Sequence, residues 1–261
     1  MTTLAEVGEL GLLAELERRG LATGIEQDAA VVDGLVVTQD ALVEGVHFRF
    51  DLIDWRELGY RAAAVNLSDL AASGAEPIAL VVSLAAPSLD GAVELYEGIA
   101  EAGVPVHGGD TTRAESVMLS ITALGRSERV PGRSGARPGD LLVVTGPLGA
   151  AGAAFREGRL ARPPIRLAGG RRLARVAHAM LDVSDGLGPD AGHIAERSGV
   201  RIVIDVGAVP LAPGASAADL EFGEDYELLA ATPDPLDFTV IGRCEEGSGV
   251  DPGLGGWEHF G

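Results

Sequence analysis

The sequence predicts an α/β protein with mixed α+β sheets, built as two units of similar size. Three observations predict it. Runs rich in Val, Leu and Ile alternate with longer stretches of helical periodicity along the chain. Residues 126–139 are rich in Arg, Gly, Ser and Pro and carry almost no apolar side chain, which marks a connection. A hydrophobic content of 46% is enough to build a core on each side of it. We therefore expect an N-terminal unit at 1–129 and a C-terminal unit at 130–261, each a sandwich of helices on a sheet. No short-period repeat interrupts this plan.

Thr2 and Thr3 can cap a first helix in which Leu4, Val7, Leu10, Leu13 and Leu16 recur at helical spacing until Gly20. Residues 28–32 and 35–38 are strand-like runs joined by Asp33-Gly34, the signature of a tight hairpin. Gln39 and Asp40 end the second strand, and a further segment carries Val43, Val46, His47 and Phe48. A long helix is expected over 55–73, with Leu58, Ala62, Val65 and Leu70 on one side and Gly74 as its stop. Its many alanines allow close packing. Strand 77–85, helix 89–103, short strand 104–106 and the alternating strand 117–124 follow.

The second half opens with strand 141–146 and a glycine- and alanine-rich helix start. A helix over 165–179 carries several arginines. Strand 180–183, the turn Ser184-Asp185-Gly186, a helix near 192–197 and strand 201–205 come next. Strands 226–231 and 238–242 complete the sheet, and a Gly/Pro-rich tail ends in Gly256-Trp257-Glu258-His259-Phe260-Gly261.

Composition narrows the function. A net charge of −19 argues against nucleic acid as a partner, because neutralising phosphates needs a basic face. No stretch of eighteen apolar residues and no basic leader before an apolar core is present, so we expect no membrane span and a cytoplasmic address. The single cysteine, Cys244, excludes an internal disulfide and a cysteine-built zinc site. The chain has no lysine, so any phosphoryl chemistry must rest on arginine, backbone amides and metal ions. An acidic protein that handles phosphates needs divalent cations to offset the repulsion.

One stretch is poorly explained by packing: Gly108-Gly109-Asp110-Thr111-Thr112-Arg113, after the apolar Val104-Pro105-Val106. Glycines let backbone approach a ligand closely. Asp110 offers hard oxygen to a cation, and the hydroxyls and guanidinium can donate to phosphate. A tight turn before a capped segment accounts for the same string equally well. Other acids decide between them. Asp28, Asp40, Asp69, Asp110, Asp182 and Asp185 mostly fall at strand ends or turns beside small residues. Each alone reads as a turn or cap residue. Six together in a lysine-free chain point to a site for several magnesium ions around a polyphosphate.

Eight segments then appear in a fixed order: Asp28-Ala29-Ala30, Thr38-Gln39-Asp40, Glu44-Gly45-Val46-His47-Phe48, Asn66-Leu67-Ser68-Asp69-Leu70-Ala71-Ala72, the Gly108 to Arg113 stretch, Arg133-Ser134-Gly135-Ala136, Asp182-Val183-Ser184-Asp185-Gly186-Leu187 and Gly223-Glu224-Asp225-Tyr226-Glu227-Leu228. This ordered set resembles the thiamine-monophosphate kinase family, within the aminoimidazole-ribonucleotide-synthetase-like (PurM-like) superfamily. The resemblance runs from about Asp28 to the tail. It implies ATP-dependent phosphorylation of thiamine monophosphate to thiamine diphosphate, with Mg²⁺, by a two-domain PurM-like homodimer paired through its N-terminal sheets. Position by position it implies magnesium sites at Asp28, Thr38, Gln39, Asp40, Asp69, Asp110, Asp182 and Asp185. It places Gly109, Asp110, Arg133 and Ser184 against ATP, with Asp110 and Arg133 as the catalytic pair. It places His47, Glu224 and Trp257 against thiamine monophosphate, the last as a ring suited to the heterocycles.

His47 is also compatible with a satisfied strand histidine, and Trp257 with a residue sealing a core. The chain departs from the family pattern at Glu26-Gln27-Asp28, usually Gly-Asp-Asp, at Gln39, usually Thr, and at Phe222-Gly223, usually paired glycines. Those changes leave the number of metal ions open. Another PurM-like ATP-dependent enzyme, or a non-catalytic Mg-ATP-binding relative, stands as the alternative.

Overall fold

A computed structural model describes residues 4–23 and 27–257; Thr2, Thr3, Glu26 and the last four residues of the tail lie outside the described residues. Helix α1 (Leu4–Arg18) bends at Gly8. The hairpin follows as expected: β1 (Ala30–Val32) pairs antiparallel with β2 (Leu35–Val43) around Asp33 and Gly34, both at positive φ. That twist matches the right-handed twist of the strands. With β3 (Glu76–Ala86), β4 (Val106–Arg113) and β5 (Met118–Arg126) they form a five-stranded sheet in the order β1-β2-β5-β3-β4. Only β3 and β4 run parallel, joined through helix α3 (Ala92–Glu101).

The second sheet has six strands: β6 (Leu141–Val144), β7 (Ala179–Asp182), β8 (Arg201–Ile204), β9 (Leu228–Thr232), β10 (Thr239–Glu245) and β11 (Gly249–Asp251), in the order β11-β8-β10-β6-β9-β7. Helices α4 (Ala150–Arg156), α5 (Leu167–Ala174) and α6 (Leu187–Ser198) lie between its strands in sequence. Both sheets are mixed, as the sequence predicts. The strand β11 sits in the tail that composition marks as irregular; it pairs parallel with β8 through Gly249, Val250 and Asp251.

The helix α2 (Trp55–Ala72) organises the rest. Asp54 caps it, its carboxylate accepting from Glu57 N at 2.8 Å. Buried residues occupy every side of it, from Leu58 and Ala62–Val65 to Leu67, Leu70 and Ala71. A helix apolar all round belongs inside a molecule. Its first half packs on the inner face of sheet one, with Leu80, Leu119 and Ile121. Its end packs on sheet two and α5, where Ala71 and Ala72 meet Leu173, Met180 and Leu228. Gly59 and Gly98 let α2 and α3 touch backbone to backbone: a Cβ at Gly59 would lie 1.9 Å from Leu95 O, and one at Gly98 1.8 Å from Arg56 O.

Three sequence boundaries move in a way that matters for the site. Strand β2 does not end at Gln39-Asp40 but runs on to Val43, with Val36, Thr38 and Leu42 buried in alternation. The Gly108 to Arg113 stretch is not a turn after a strand; it is strand β4 itself, exposed along its whole length at the sheet edge. Gly109 is the reason pairing survives there, since its Cβ would fall 1.7 Å from Val82 O. Helix α6 also begins at Leu187, directly after Gly186, rather than near 192. Among the described residues no helix is long and apolar enough to cross a membrane.

Gly59→Ala is expected to lower stability by ~1–3 kcal/mol, because the added methyl forces α2 and α3 apart. Urea unfolding would register this as a lower midpoint with an unchanged slope.

Candidate active site

Three carboxylates from distant parts of the chain converge. Asp28 precedes β1, Asp69 lies on α2 and Asp182 ends β7, and one oxygen from each lies within 4.8 Å of the others. Neighbouring hydroxyls orient them: Thr38 Oγ1 on β2 donates to Asp69, and Ser68 Oγ on α2 donates to Asp182 at 2.5 Å. Asp40, two residues after Thr38, shares its sheet face, and its charge acts on Asp69. Its backbone N–H donates to Asn66 Oδ1 at 3.1 Å, while Asn66 Nδ2 donates to Ala62 O. Arg133, from the connection between the sheets, sends Nε and Nη2 to Asp28 Oδ1 at 2.8 and 2.5 Å. Its backbone N–H donates to Gln27 Oε1 at 2.8 Å, which gives Gln27 a structural task.

The electrostatics of this cluster are unfavourable without a cation. Burial raises the Asp28 pKa against the pull of Arg133. Burial lifts Asp69 well above the carboxylate range, and the charges of Asp40, Asp182 and Asp28 add to it. Burial and Asp28 push Asp182 up to about 7. Acids this close cannot all be ionised in a low-dielectric setting. Hard carboxylate oxygens, with hydroxyls at hand and no thiol among them, fit Mg²⁺ or Ca²⁺. Cys244 lies elsewhere, buried on β10, its thiol pushed up to about 12 by burial.

The structure divides the expected metal positions. It gathers Asp28, Thr38, Asp40, Asp69 and Asp182. It does not bring Gln39 or Asp110 to them within one chain. Gln39 is next to Asp40 on a strand, so its side chain faces the other way, where Thr122 Oγ1 donates to it at 3.0 Å. Asp110 stands opposite Ser83, which stands opposite Ser120, so both share the outer face of the sheet with Gln39. Strand alternation separates these two from the trio.

Asp185 joins a second group instead. Its carboxylate lies within 4.8 Å of ligand atoms of Asp190 and His193, on the first turns of α6. Asp190 is buried and accepts from the backbone N–H groups of Asp185 and Gly186, both at 3.1 Å, so it holds the turn that carries Ser184. Burial, then Asp185 and Asp182, raise its pKa well above the usual value. Sequence reasoning missed both residues. An acid four positions after the Gly186 turn was the available signal.

The expected acceptor-binding residues fall in two places. Glu224 and Trp257 flank the Ser184-Asp185 turn: Glu224 N donates to Ser184 O at 2.7 Å and Trp257 N to Asp185 O at 2.9 Å. Trp257 is exposed and therefore does not seal a core. His47 sits in the turn after β2, its Nδ1 accepting from Val43 N at 3.0 Å. Glu224 and Tyr226 both have positive φ, 58° and 53°. Such non-glycine conformations cost on the order of 1 kcal/mol or more and persist where the surroundings enforce them. Asp225 between them is anchored, accepting from Gly149 N at 2.6 Å and Ala151 N at 3.2 Å at the start of α4. Arg61 on α2, also missed by the sequence reading, is 1% exposed with Nη2 2.7 Å from Glu224 Oε1.

The family model described as AIR synthase related protein, N-terminal domain, matches residues 26–127. A thiamine-monophosphate kinase of Aquifex aeolicus is 34% identical, over 98% of this chain and 99% of its own length. That of Methanopyrus kandleri is 38% identical, over 86% of this chain and 84% of its own. The solved structure of AaThiL complexed with AMPPCP and TMP superposes with a TM-score of 0.90 at 33% identity, covering 99% of each chain.

The raised Asp182 has a consequence for stability. Its folded pKa of about 7 exceeds the ordinary 3.8, so between those values the folded state holds the extra proton and stability falls as pH rises. Thermal melts from about pH 5 to pH 8 should therefore show the wild type losing more stability than Asp182→Asn. Adding a divalent cation should raise the melting temperature more at the upper end of that range than at the lower. Equal pH profiles for the two proteins would contradict the assignment.

Proposed function

This chain belongs to the thiamine-monophosphate kinase family, and we propose that it makes thiamine diphosphate from thiamine monophosphate and ATP where Asp28, Asp69 and Asp182 meet. The fold is PurM-like, with its two units joined through residues 127–140. The observation that carries the reading is the acid trio, Asp182 buried and Asp28 and Asp69 partly so, with Arg133 beside it. A phosphoryl transfer between two anionic groups asks the protein for positioning and for charge neutralisation. The acceptor is itself a phosphate whose second pKa is about 6, so it is largely dianionic near neutrality. It needs no general base.

Mg²⁺ ions bound by Asp28, Asp40, Asp69 and Asp182 would neutralise the phosphate oxygens of ATP. Thr38 and Ser68 fix the carboxylates that hold them. Arg133 keeps a guanidinium at the mouth of the cluster, in reach of phosphate when it leaves Asp28. Ser184, on the turn held by Asp190, stands on the nucleotide side. Glu224 and Trp257 flank the same turn and suit the cationic, aromatic acceptor, with His47 as a further contact.

The same reading includes a homodimer paired through sheet one. Gly109 and Asp110 then lie at the dimer boundary, on the outer face and free edge of the sheet, and take up their nucleotide and metal roles there rather than within one chain. The cytoplasmic address expected from the sequence stays part of it.

Incubation with ATP, Mg²⁺ and thiamine monophosphate should yield ADP and thiamine diphosphate. Asp69→Asn should reduce kcat by ~10² or more, as loss of one transition-state charge contact does elsewhere. Asp110→Asn should also be impaired. Tight Mg-ATP binding by calorimetry without product at any Mg²⁺ concentration would sink the kinase reading in favour of a non-catalytic relative.

A further inference from the structure

Arg61 is the largest fully buried side chain of the molecule's described residues, and it is charged. It lies on α2 among alanines, where packing alone would choose an apolar residue. Its Nη1 donates to Ala161 O at 2.8 Å, in the connection between α4 and α5. Its Nη2 is 2.7 Å from Glu224 Oε1, but the N–H is not aligned for a hydrogen bond, and Nε has no acceptor. The Tyr226 ring lies 5.8 Å from the guanidinium carbon. One buried cation thus faces both non-glycine left-handed residues of the 223–226 loop.

Nε and Nη2 have essentially no exposed surface, whereas the carboxylate beside them does. Whatever Arg61 does for the reaction, it does through Glu224, whose side chain remains 30% exposed and keeps room for a ligand. The same helix carries Ser68 and Asp69 of the acid cluster, and Ser68 is seven residues on, two turns along the same side. The 160–163 connection is drawn onto this helix by further contacts: Tyr60 Oη donates to Pro163 O at 3.1 Å, and Arg162 lies 3.6 Å over the Tyr60 ring.

We propose that Arg61 is a positioning residue that sets the Glu224 carboxylate, and with it acceptor affinity, from the helix that carries the metal acids. This rests on the reading of Glu224 as an acceptor-binding residue. On the nucleotide side, Asp28 and Arg133 pair with each other and not with Arg61, while Ser184 meets this loop only through its backbone carbonyl, which accepts from Glu224 N. The proposal therefore separates the two substrates.

Steady-state kinetics test it. Arg61→Gln should raise KM for thiamine monophosphate roughly tenfold or more, in line with truncating one partner of a buried charge pair. KM for ATP should stay within about twofold, because the Asp28–Arg133 pair and the metal acids do not depend on the Glu224 carboxylate. Arg61→Lys, which keeps the charge and folds more readily, should fall between. Glu224→Gln should raise the same KM, and the double variant should add little, since both changes remove one interaction. Additive effects, or an equal rise in both KM values, would overturn the proposal.

A readout independent of turnover keeps it distinct from the functional reading. Amide hydrogen exchange of the 223–226 segment should speed up in Arg61→Gln and Arg61→Lys, the former more. Unchanged exchange overturns the Arg61 proposal. Wild-type protein that neither binds nor phosphorylates thiamine monophosphate overturns the functional reading instead.

Discussion

Three carboxylates forced together in a largely sheltered spot constrain everything around them. Asp28, Asp69 and Asp182 come from a loop, a helix and a strand end, and none would choose such neighbours on its own account. Burial and mutual repulsion both oppose their ionised forms. The hydroxyls of Thr38 and Ser68 and the guanidinium of Arg133 are the responses to that one difficulty. A lysine-free chain has few other ways of answering it. The fold keeps the arrangement because α2 is packed on both sides and has no freedom to let Asp69 retreat.

The second half of the site follows a different logic. There the backbone rather than a charge cluster is held in an uncomfortable state. Asp225 accepts from the amides that open α4, and Glu224 and Tyr226, on either side of it, hold left-handed conformations. Val183 and Ser184 accept from the amides of Tyr226 and Glu224, which ties that loop to the turn after β7. Asp190 pins the same turn from below. The 223–226 loop and the turn at 184–186 are therefore one hydrogen-bonded body.

Local chemistry made much of this legible. Asp33-Gly34 specified the hairpin, and alanine-rich helical periodicity specified α2 nearly to its ends. The ordered motifs carried the family. What failed did so for identifiable reasons. Paired glycines suggested a turn at 108–109, whereas Gly109 serves a close strand approach that no local pattern reveals. Polar Gln39 and Asp40 looked like the end of β2, and that error hid the period-two alternation that sends Gln39 and Asp40 to opposite faces. Arg61 and Glu224 are far apart in sequence, and so are Asp28 and Arg133. Such partnerships exist only once both sheets have closed on α2.

The burial of α2 on both sides also bears on the order in which the molecule can be built. A chain made from its N-terminus completes this helix and sheet one early. The helix end that later covers itself with Met180, Leu228 and Ala230 stays bare until those residues have been synthesised. The N-terminal half is thus not finished when its own strands are paired; it waits with an apolar stripe exposed, the kind of surface that invites wrong partners in a crowded cell. The acids on that helix keep the waiting surface charged beside its greasy end. A feature that makes the mature site rigid makes the nascent half the vulnerable stage of its own synthesis.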